Sequence, residues 1–296
     1  MIESVFMPVL NQDFELYYWS KKYQSHEFPD RATQNYSEIE PLFRLHSHDA
    51  MEILVFLGGK CEFFCEGKTY SLTKGDIVVI PPYAVHRATV EDFANYERIV
   101  STISNTLMNE FLSISPTLKE NIDHHQTHGS YVVHLQSNNL KVVTSILQEL
   151  SERRKKVEGN YSFALHYLLF QSLQVIMNPE SSSPIINEEN KKDKRLVDII
   201  EYIESHLTDP DLSLETIAKH FHLNKYYFSH YFKNNMDVPF YRYVLLKRLA
   251  IAVTMIKQNE NSIEEIASKC GFQDYSSFYR QFKKEYNLSP KKLQKK

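Results

Sequence analysis

Four residues near the start of the chain have the types and spacing of a metal or small-ligand site: His46, His48, Glu52 and His86. His46 and His48 are two residues apart, so on a β-strand their side chains would project from the same face. A carboxylate and a third imidazole from nearby strands could complete the ligand set of a divalent metal ion. A second interpretation stays open, in which these residues form a polar interior that is hydrogen-bonded to itself, to backbone or to a small ligand.

A second group of polar residues near the carboxyl end suits contact with nucleic acid. Arg280 could address a guanine with two hydrogen bonds, and nearby hydroxyl and imidazole groups could contact other base edges. Lysine and arginine would supply salt-dependent affinity for phosphates. The residues predicted on the outward helix faces are Tyr226, Ser229, His230, Ser276, Ser277 and Arg280, and the predicted phosphate contacts are Lys225, Lys233, Arg242, Lys283 and Lys284.

The segments that must position this second group form an internal repeat, with one copy at 213–233 and the other at 262–283. Each copy begins with a serine that can cap a helix, followed by an apolar helical face, a short turn and a second amphipathic helix. Gly271 can end the first helix of the second copy in the left-handed conformation, whereas the first copy has His222 there and must adopt a strained backbone. The pattern predicts two helix-turn-helix units, at about 213–236 and 262–286.

A single helix, predicted over about 239–258, joins the two units. Pro239 suits its first residue. One apolar side is predicted, formed by Val244, Leu245, Leu249, Ala252, Val253 and Ile256. At ~1.5 Å per residue the helix is about 30 Å long, close to the ~34 Å repeat of B-DNA. It could hold two recognition helices in successive major grooves on one face of the duplex.

The second copy carries the specific motif, I263-x2-I266-A267-x3-G271-F272-x5-F278-x3-F282-K283-x5-S289-P290. With the R248-L-A-x2-V segment before it, this motif resembles the DNA-binding domain of AraC/XylS-type transcription regulators over the last hundred residues. The chain departs from the usual pattern after Pro290, where a Tyr-Arg pair is missing. The resemblance implies that the outward residues of the two second helices face successive grooves.

The part from 43 to about 90 reads as short strands separated by Glu66-Gly67, by Lys74-Gly75-Asp76 and by Pro81-Pro82, a pattern typical of an antiparallel barrel or jelly roll. His46-x-His48-x3-Glu52-x5-Gly58 and Gly75-x5-Pro81-x4-His86 resemble the two cupin motifs, with Tyr83 and Val90 replacing a usual glycine and asparagine. Resemblance to AraC-type sensor domains implies a bound effector without a metal, with a carbohydrate or related metabolite favoured. The predicted effector-binding residues are Arg44, His46, His48, Glu52, His86 and, as a stacking partner, Trp19.

The predicted fold class is therefore α+β with two domains: a cupin-type barrel with a helical pair, and an all-α domain with two helix-turn-helix motifs joined by a long helix. The predicted divisions are a sensor barrel at 1–136, a helical pair at 137–178, a linker at 179–193 and a DNA-binding domain at 194–296. The pair packs on the barrel; the family resemblance adds a dimer contact. The polar segment 123–134, with His124, His125, His128 and His134, reads as loop and strand surface.

Composition agrees with this division. The formal net charge is −3, but residues 191–296 hold 19 Lys and Arg against 13 Asp and Glu, so the remainder is acidic. A basic C-terminal part suits a nucleic-acid reader. Three cysteines are too few for a disulfide framework and favour a reducing compartment. No signal peptide and no apolar run of membrane-spanning length is found, so a cytoplasmic location is expected.

These observations predict a DNA-binding transcription regulator that senses a small molecule. The family resemblance implies an activator that works as a homodimer, on promoter DNA and with RNA polymerase. A different class stays open: a metal-dependent cupin enzyme, such as an isomerase or dioxygenase, that carries a DNA-binding domain. An RNA-binding module is disfavoured, because helix pairs at one-turn spacing suit a duplex with an open major groove.

Overall fold

The computed structural model describes residues 13–20, 43–92, 94–127, 131–156, 162–185 and 194–295. Its strands are β1 (Phe14–Ser20), β2 (Ala50–Gly58), β3 (Cys61–Cys65), β4 (Lys68–Leu72), β5 (Asp76–Ile80), β6 (His86–Val90), β7 (Glu97–Ser104), β8 (Val132–Leu135) and β9 (Ser182–Pro184). Its helices are α1 (Asn105–Ile114), α2 (Pro116–Thr127), α3 (Ser137–Lys156), α4 (Ser162–Met177), α5 (Lys194–Ser205), α6 (Leu214–His220), α7 (Lys225–Met236), α8 (Phe240–Gln258), α9 (Ile263–Lys269), α10 (Tyr275–Tyr286) and α11 (Pro290–Gln294).

The strands form two antiparallel sheets, with orders β1-β7-β2-β5-β8-β9 and β4-β3-β6. Side chains from both sheets share one apolar core, to which Leu54 and Val78 contribute from one sheet and Phe63 and Tyr70 from the other. The two sheets therefore enclose an interior, as a jelly roll does. We call these two sheets the sandwich.

The opposite face of the larger sheet is covered by helices. Ile53 and Val79 point into a second core that includes Leu107 of α1, Leu147 of α3 and Leu169 of α4. This follows from strand alternation, because successive residues of β2 and β5 face opposite sides of the sheet. The helical pair thus packs on the sandwich, as the apolar stripes predict.

Three parts of the sequence fold differently from expectation. The segment 105–127 forms the helices α1 and α2, which the strand-like interpretation of the N-terminal domain did not include. Within the polar segment at 123–134, the backbone is helical up to Thr127, and His134 lies in β8; His128 is outside the described residues. β9 lies inside the predicted linker and pairs with β8, because an extended Ser-Ser-Pro stretch can complete an open sheet edge.

The C-terminal domain is helical throughout its described elements, and α8 lies between two apolar cores. The first core contains Phe228 and Phe232 of α7, and the second contains Phe278 and Phe282 of α10. Residues of α8 are divided between them, with Tyr243, Val244 and Leu246 in the first and Leu245, Leu249, Ala252, Val253 and Ile256 in the second. The prediction of one apolar side was therefore incomplete, since a helix buried between two units needs apolar residues on most of its surface.

The sequence predicted neither a disulfide framework nor a membrane-spanning segment. Cys61, Cys65 and Cys270 are buried, and none of the three forms a disulfide. Burial raises the pKa of Cys61 to about 11, so that thiol is kept protonated and unreactive. Among the described residues, no helix is both long and apolar enough to cross a membrane.

Candidate DNA-binding surface and effector site

The two helix-turn-helix units have matching local geometry. Ser213 and Ser262 each form a capping box with the residue three positions later. In the turns, Leu223 N donates to Ala218 O at 2.8 Å and Phe272 N donates to Ala267 O at 3.1 Å. The residues that end the second helices, Asp237 and Asn287, share the same left-handed backbone angles, φ 50° and ψ 19°. The sequence repeat is therefore a structural repeat.

The turns differ at one position, which gives a paired prediction. Gly271 has φ +81°, and a Cβ there would lie 2.9 Å from the carbonyl carbon of Thr208. His222 holds φ 54° with a side chain. Gly271→Ala should lower the free energy of unfolding by at least about 1 kcal/mol, whereas His222→Gly should raise it by up to about 1 kcal/mol. Chemical denaturation of the full-length variants measures both; equal destabilisation by the two changes would contradict the turn geometry.

The outward faces of α7 and α10 are open to solvent. Tyr226 is 75% exposed, and His230 is also exposed. On α10, Ser276 and Arg280 are exposed in the corresponding region. Ser229 and Ser277 are half-buried beside them, and the Ser277 backbone N–H donates to the Asp274 carboxylate that caps α10. Counted from the buried Phe228 and Phe278, Tyr226 and Ser276 occupy equivalent places of the repeat, as do His230 and Arg280, whereas Ser229 and Ser277 do not.

The predicted phosphate contacts fall into two groups. Lys233, Lys283 and Lys284 are exposed near the carboxyl ends of α7 and α10. Lys225 is exposed but pairs with Glu215. Arg242 is half-buried and donates to both carboxylate oxygens of Glu285, at 2.6 and 3.0 Å. In this structure Arg242 therefore forms a bidentate ion pair with Glu285, which holds its guanidinium in place.

The four residues singled out in the sandwich come together. One ligand atom from each of His46, His48, Glu52 and His86 lies within 4.8 Å of all the others. Glu52 is on the interior face of β2, the face that also carries Leu54 and Phe56, and His86 begins β6 in the opposite sheet. A β-bridge between His46 and His86 joins the remaining segment to β6. Side chains from three separate segments therefore converge in an otherwise apolar interior.

Each imidazole is oriented by a backbone carbonyl close to it in sequence. His46 Nδ1 lies 2.7 Å from Arg44 O, His48 Nδ1 lies 3.0 Å from Ala50 O, and His86 Nδ1 lies 2.9 Å from Ala84 O. His48 Nε2 is 3.1 Å from Glu52 Oε2. Burial, with the neighbouring imidazoles, holds the pKa of His46 well below its usual range. Burial also lowers the pKa of His86 to about 4, so both rings are neutral at pH 7.

The structure describes the other two predicted effector-binding residues less fully. Arg44 is exposed, and its backbone carbonyl accepts the hydrogen bond from His46. Trp19 lies in β1, which is separated from β2 by β7, and its side chain is outside the described part of the structure. Its role as a stacking partner stays a prediction.

The sandwich is joined directly to α8 by a buried polar contact. Glu66, in the turn between β3 and β4, accepts a hydrogen bond from Tyr243 Oη at 2.7 Å and pairs with Lys247 Nζ at 3.1 Å. Lys247 also pairs with Glu204 of α5 at 2.6 Å. Burial alone would lower the pKa of Lys247, but the carboxylates of Glu66 and Glu204 raise it well above its usual value. We call Glu66, Tyr243 and Lys247 the docking triad.

A second contact joins α8 to the segment that carries two of the histidines. Asp49 accepts hydrogen bonds from Lys257 at 3.1 and 3.3 Å, and Leu45 O accepts one from Arg242 at 3.4 Å. Tyr83, two residues before Val85, hydrogen-bonds through its hydroxyl to Thr254 at 3.0 Å. The sequence analysis named Arg242 as a phosphate contact and Tyr83 as a departure from a motif, and it gave none of these residues an interdomain role. The one available signal was Lys247, a charged residue in a helix that is otherwise apolar on most sides.

Two family models match this chain, and the chain aligns with curated relatives over most of its length. A model of the AraC-like ligand-binding domain matches residues 17–153, and a model of a helix-turn-helix domain matches residues 217–296. The chain is 23% identical over 254 residues to the HTH-type transcriptional activator RhaS of Enterobacter sp. strain 638, covering 85% of this chain and 87% of that protein. It is 28% identical over 252 residues to the probable transcriptional regulator LumQ of Photobacterium leiognathi, covering 84% and 91%. ToxT of Vibrio cholerae is 14% identical over 96% of this chain and 98% of that one, with a TM-score of 0.38.

A ligand-binding β-sandwich followed by a doubled helix-turn-helix defines a one-component regulator, in which sensor and DNA reader lie on a single chain. With both domain models matched and relatives aligned over most of its length, the chain belongs to the AraC/XylS-type transcription regulators. The resemblance found in the sequence is confirmed, and the protein is a regulator rather than an enzyme.

Proposed function

We propose that this regulator activates transcription by placing α7 and α10 in successive major grooves of promoter DNA, under the control of an effector bound in the sandwich. The observation that supports DNA reading most strongly is the pair of equivalent helix-turn-helix units fixed to one helix, α8. With 19 residues, α8 is about 28 Å long, which suits two recognition helices one turn of duplex apart.

The effector site in this proposal is the cluster of His46, His48, Glu52 and His86. It is buried in the sandwich, and the segment that holds two of its histidines also contacts α8. Occupation of the cluster could therefore favour one arrangement of the two domains over another. A carbohydrate or related metabolite is the effector class that family resemblance suggests, and imidazole and carboxylate groups can bond to its hydroxyls.

Activation, a homodimer and contact with RNA polymerase complete the proposal. The name of the RhaS relative describes an activator. A homodimer through the helical pair is supported by exposed apolar side chains on its outer surface: Val142 of α3 is 46% exposed, and Phe163 and Tyr167 of α4 are 81% and 51% exposed. Phe163 and Tyr167 are four residues apart and so lie on the same side of α4, and neighbouring exposed apolar side chains of this kind can mark a protein contact.

The central test uses the full-length protein and a DNA duplex selected from random sequence by that protein. Binding isotherms are recorded with and without a panel of sugars, and transcription from a promoter with the selected site is measured in parallel. Sensing by the sandwich predicts that an effector changes affinity, footprint or transcript level. Equal values under all conditions would remove the sensor role of a carbohydrate while leaving DNA recognition intact.

Base reading by α10 is tested by Arg280→Ala. We expect affinity for the selected duplex to fall by about 5- to 150-fold and preference at one base pair to relax, because a guanidinium that bonds two base-edge acceptors discriminates by that amount. Lys283→Ala is the control on the same helix and should weaken binding to all sequences alike. If Arg280→Ala weakens all sequences equally, Arg280 contacts a phosphate instead.

A further inference from the structure

The two helix-turn-helix units of the DNA-binding domain have separate apolar cores on α8. Phe228 and Phe232 pack in the first core, and Phe278 and Phe282 pack in the second. Burial of apolar surface has no preferred direction. The cores therefore hold each unit on α8 but define the rotation of one unit against the other less closely than directional polar contacts do.

One directional contact joins the start of α8 to the end of α10. Arg242 lies in the first turn of α8, beside Tyr243 of the first core, and donates to both carboxylate oxygens of Glu285 at 2.6 and 3.0 Å. Glu285 precedes Tyr286, which is buried in the second core. The two charged side chains are 35% and 15% exposed, so solvent screens the pair only in part. A bidentate pair fixes both distance and orientation, and it ties α10 to the first unit.

A second contact lies on another side of α8. Arg248 Nε donates to Leu207 O at 2.7 Å, and Arg248 Nη2 donates to Asp209 O at 2.6 Å. These carbonyls belong to the segment after α5, and Leu207 is part of the first core. A Cβ added at Gly271 would lie 3.0 Å from Arg248 Cζ. The guanidinium of Arg248 therefore lies between a loop of the first unit and the turn of the second.

The two arginines are placed to restrict rotation between the units. They are six residues apart, which puts them about 120° apart around a helix of 3.6 residues per turn. A rotation of the second unit about α8 would therefore stretch one contact or the other. Gln273, after the turn of the second unit, adds a longer hydrogen bond of 3.4 Å to Pro210 O in the same segment. We call the Arg242–Glu285 pair and the Arg248 contacts the two braces.

From these contacts we infer that the two braces fix the distance and rotation between α7 and α10, and so set the spacing of the two half-sites that these helices read. The inference rests on the proposed function, in which both helices enter DNA. Half-sites one turn apart are separated by about 10–10.5 base pairs, so one added base pair rotates the second half-site by about 34° and moves it by about 3.4 Å. Arg242 and Arg248 are then positioning residues, and Arg242 has a role other than the predicted phosphate contact.

The test uses the full-length protein and three duplexes. The first is selected by the protein from random sequence, and the other two have one base pair inserted or removed between the half-sites. The spacing ratio is the affinity for the first duplex divided by the affinity for either of the others, and it should be high for the wild-type protein. Glu285→Gln should lower this ratio about fivefold, because it removes the charge of a partly exposed pair. The hydrogen bond from Arg242 to Leu45 O stays in place in this variant.

A charge exchange separates a brace from a phosphate contact. Arg242→Met should lower the spacing ratio as Glu285→Gln does, and the double variant Arg242→Glu/Glu285→Arg should restore it, because the exchanged side chains can pair again. A phosphate contact predicts a different pattern. Arg242→Met would then weaken all three duplexes alike, Glu285→Gln would strengthen all three, and the exchange would restore nothing. That pattern, or equal ratios in the wild type and all variants, would refute the first brace.

The second brace is tested by Arg248→Lys. Lysine keeps the positive charge but has a single nitrogen, so it cannot reproduce the fork that reaches both carbonyls. Lys233→Gln is the matched control, because Lys233 is exposed on α7 and its loss should weaken all three duplexes alike without changing the spacing ratio. If Arg248→Lys changes the ratio no more than Lys233→Gln does, Arg248 is not a brace.

The wild-type protein alone gives a decisive measurement that does not depend on how the variants fold. A wild-type spacing ratio near one, with both half-sites still protected in a footprint, would overturn the inference while leaving DNA reading by two helices intact. Absence of sequence-specific binding, or a selected site with a single half-site, would instead refute the proposed function. Chemical denaturation of each variant confirms that it is folded under the conditions of the binding measurements.

Discussion

Lys247→Met is expected to release the DNA-binding domain from the sandwich, with a loss of about 3–5 kcal/mol of docking free energy. Lys247 is 5% exposed, and its ammonium group neutralises Glu66, which is equally buried. Without the ammonium group, the buried Glu66 carboxylate would lose the counter-charge of Lys247, and keeping it in the interface would be more costly than separating the domains. Small-angle X-ray scattering should show a larger radius of gyration, and hydrogen exchange at Tyr243 should accelerate.

The double variant Glu66→Gln/Lys247→Met is the matched control for this prediction. Removing both charges leaves Tyr243 with an uncharged acceptor, and Glu204 is half exposed and can be solvated. The docking free energy of the double variant should therefore be close to that of the unmodified protein. The second substitution would then offset the loss that the single substitution causes. If the single and double variants separate the domains equally, the packing of the lysine chain, and not the buried charge, holds the interface.

Phe282→Ala is expected to lower the free energy of unfolding of the second helix-turn-helix unit by about 3–5 kcal/mol and to abolish specific DNA binding. The ring is fully buried and packs against Phe278 and Tyr286, with centroid distances of 5.5 and 4.6 Å. Its removal leaves a cavity between α10 and α8 that the aromatic neighbours cannot fill. Denaturation monitored by hydrogen exchange measures the loss in each unit separately.

The equivalent change in the first unit, Phe232→Ala, serves as the control. Phe232 occupies the same repeat position, but its ring packs in the other core, against Phe228, Phe240 and Tyr243. Each variant should destabilise its own core more than the other. Equal destabilisation of both units by either change would show that α8 makes the domain a single cooperative core, and the two-core description would then be wrong.

Much of the DNA-binding domain could be predicted because its signals are local. A capping serine, an apolar residue every third or fourth position and a turn residue able to adopt positive φ are read within a dozen residues. Ser262 with Glu265 therefore predicted the start of the first helix of the second unit, and Gly271 predicted its end. The start of α8 was predicted one residue early: Pro239 is the cap, with φ −60° and extended ψ, and Phe240 is the first helical residue.

The sandwich was predicted less completely, because its signals depend on pairing between distant segments. Turns at Gly67, Gly75 and Pro81 marked the strands, but sheet order is decided by contacts among residues far apart in sequence. The helices α1 and α2 were missed, as was the strand β9. Short apolar or polar stretches of this kind adopt helix or strand according to the surface on which they pack.

By itself the sequence determined the class of protein, the two helix-turn-helix units and the residue types of the buried histidine–glutamate cluster, since each is encoded by spacing along the chain. Tertiary structure alone decided that these four side chains meet in one place, that each of the three rings places Nδ1 beside a backbone carbonyl, and that Arg242 binds Glu285. It also decided the docking triad, whose members come from residues 66 and 243–247. Spacing along the chain does not predict such a contact, because a buried charge gains its partner only when two separately folded surfaces meet.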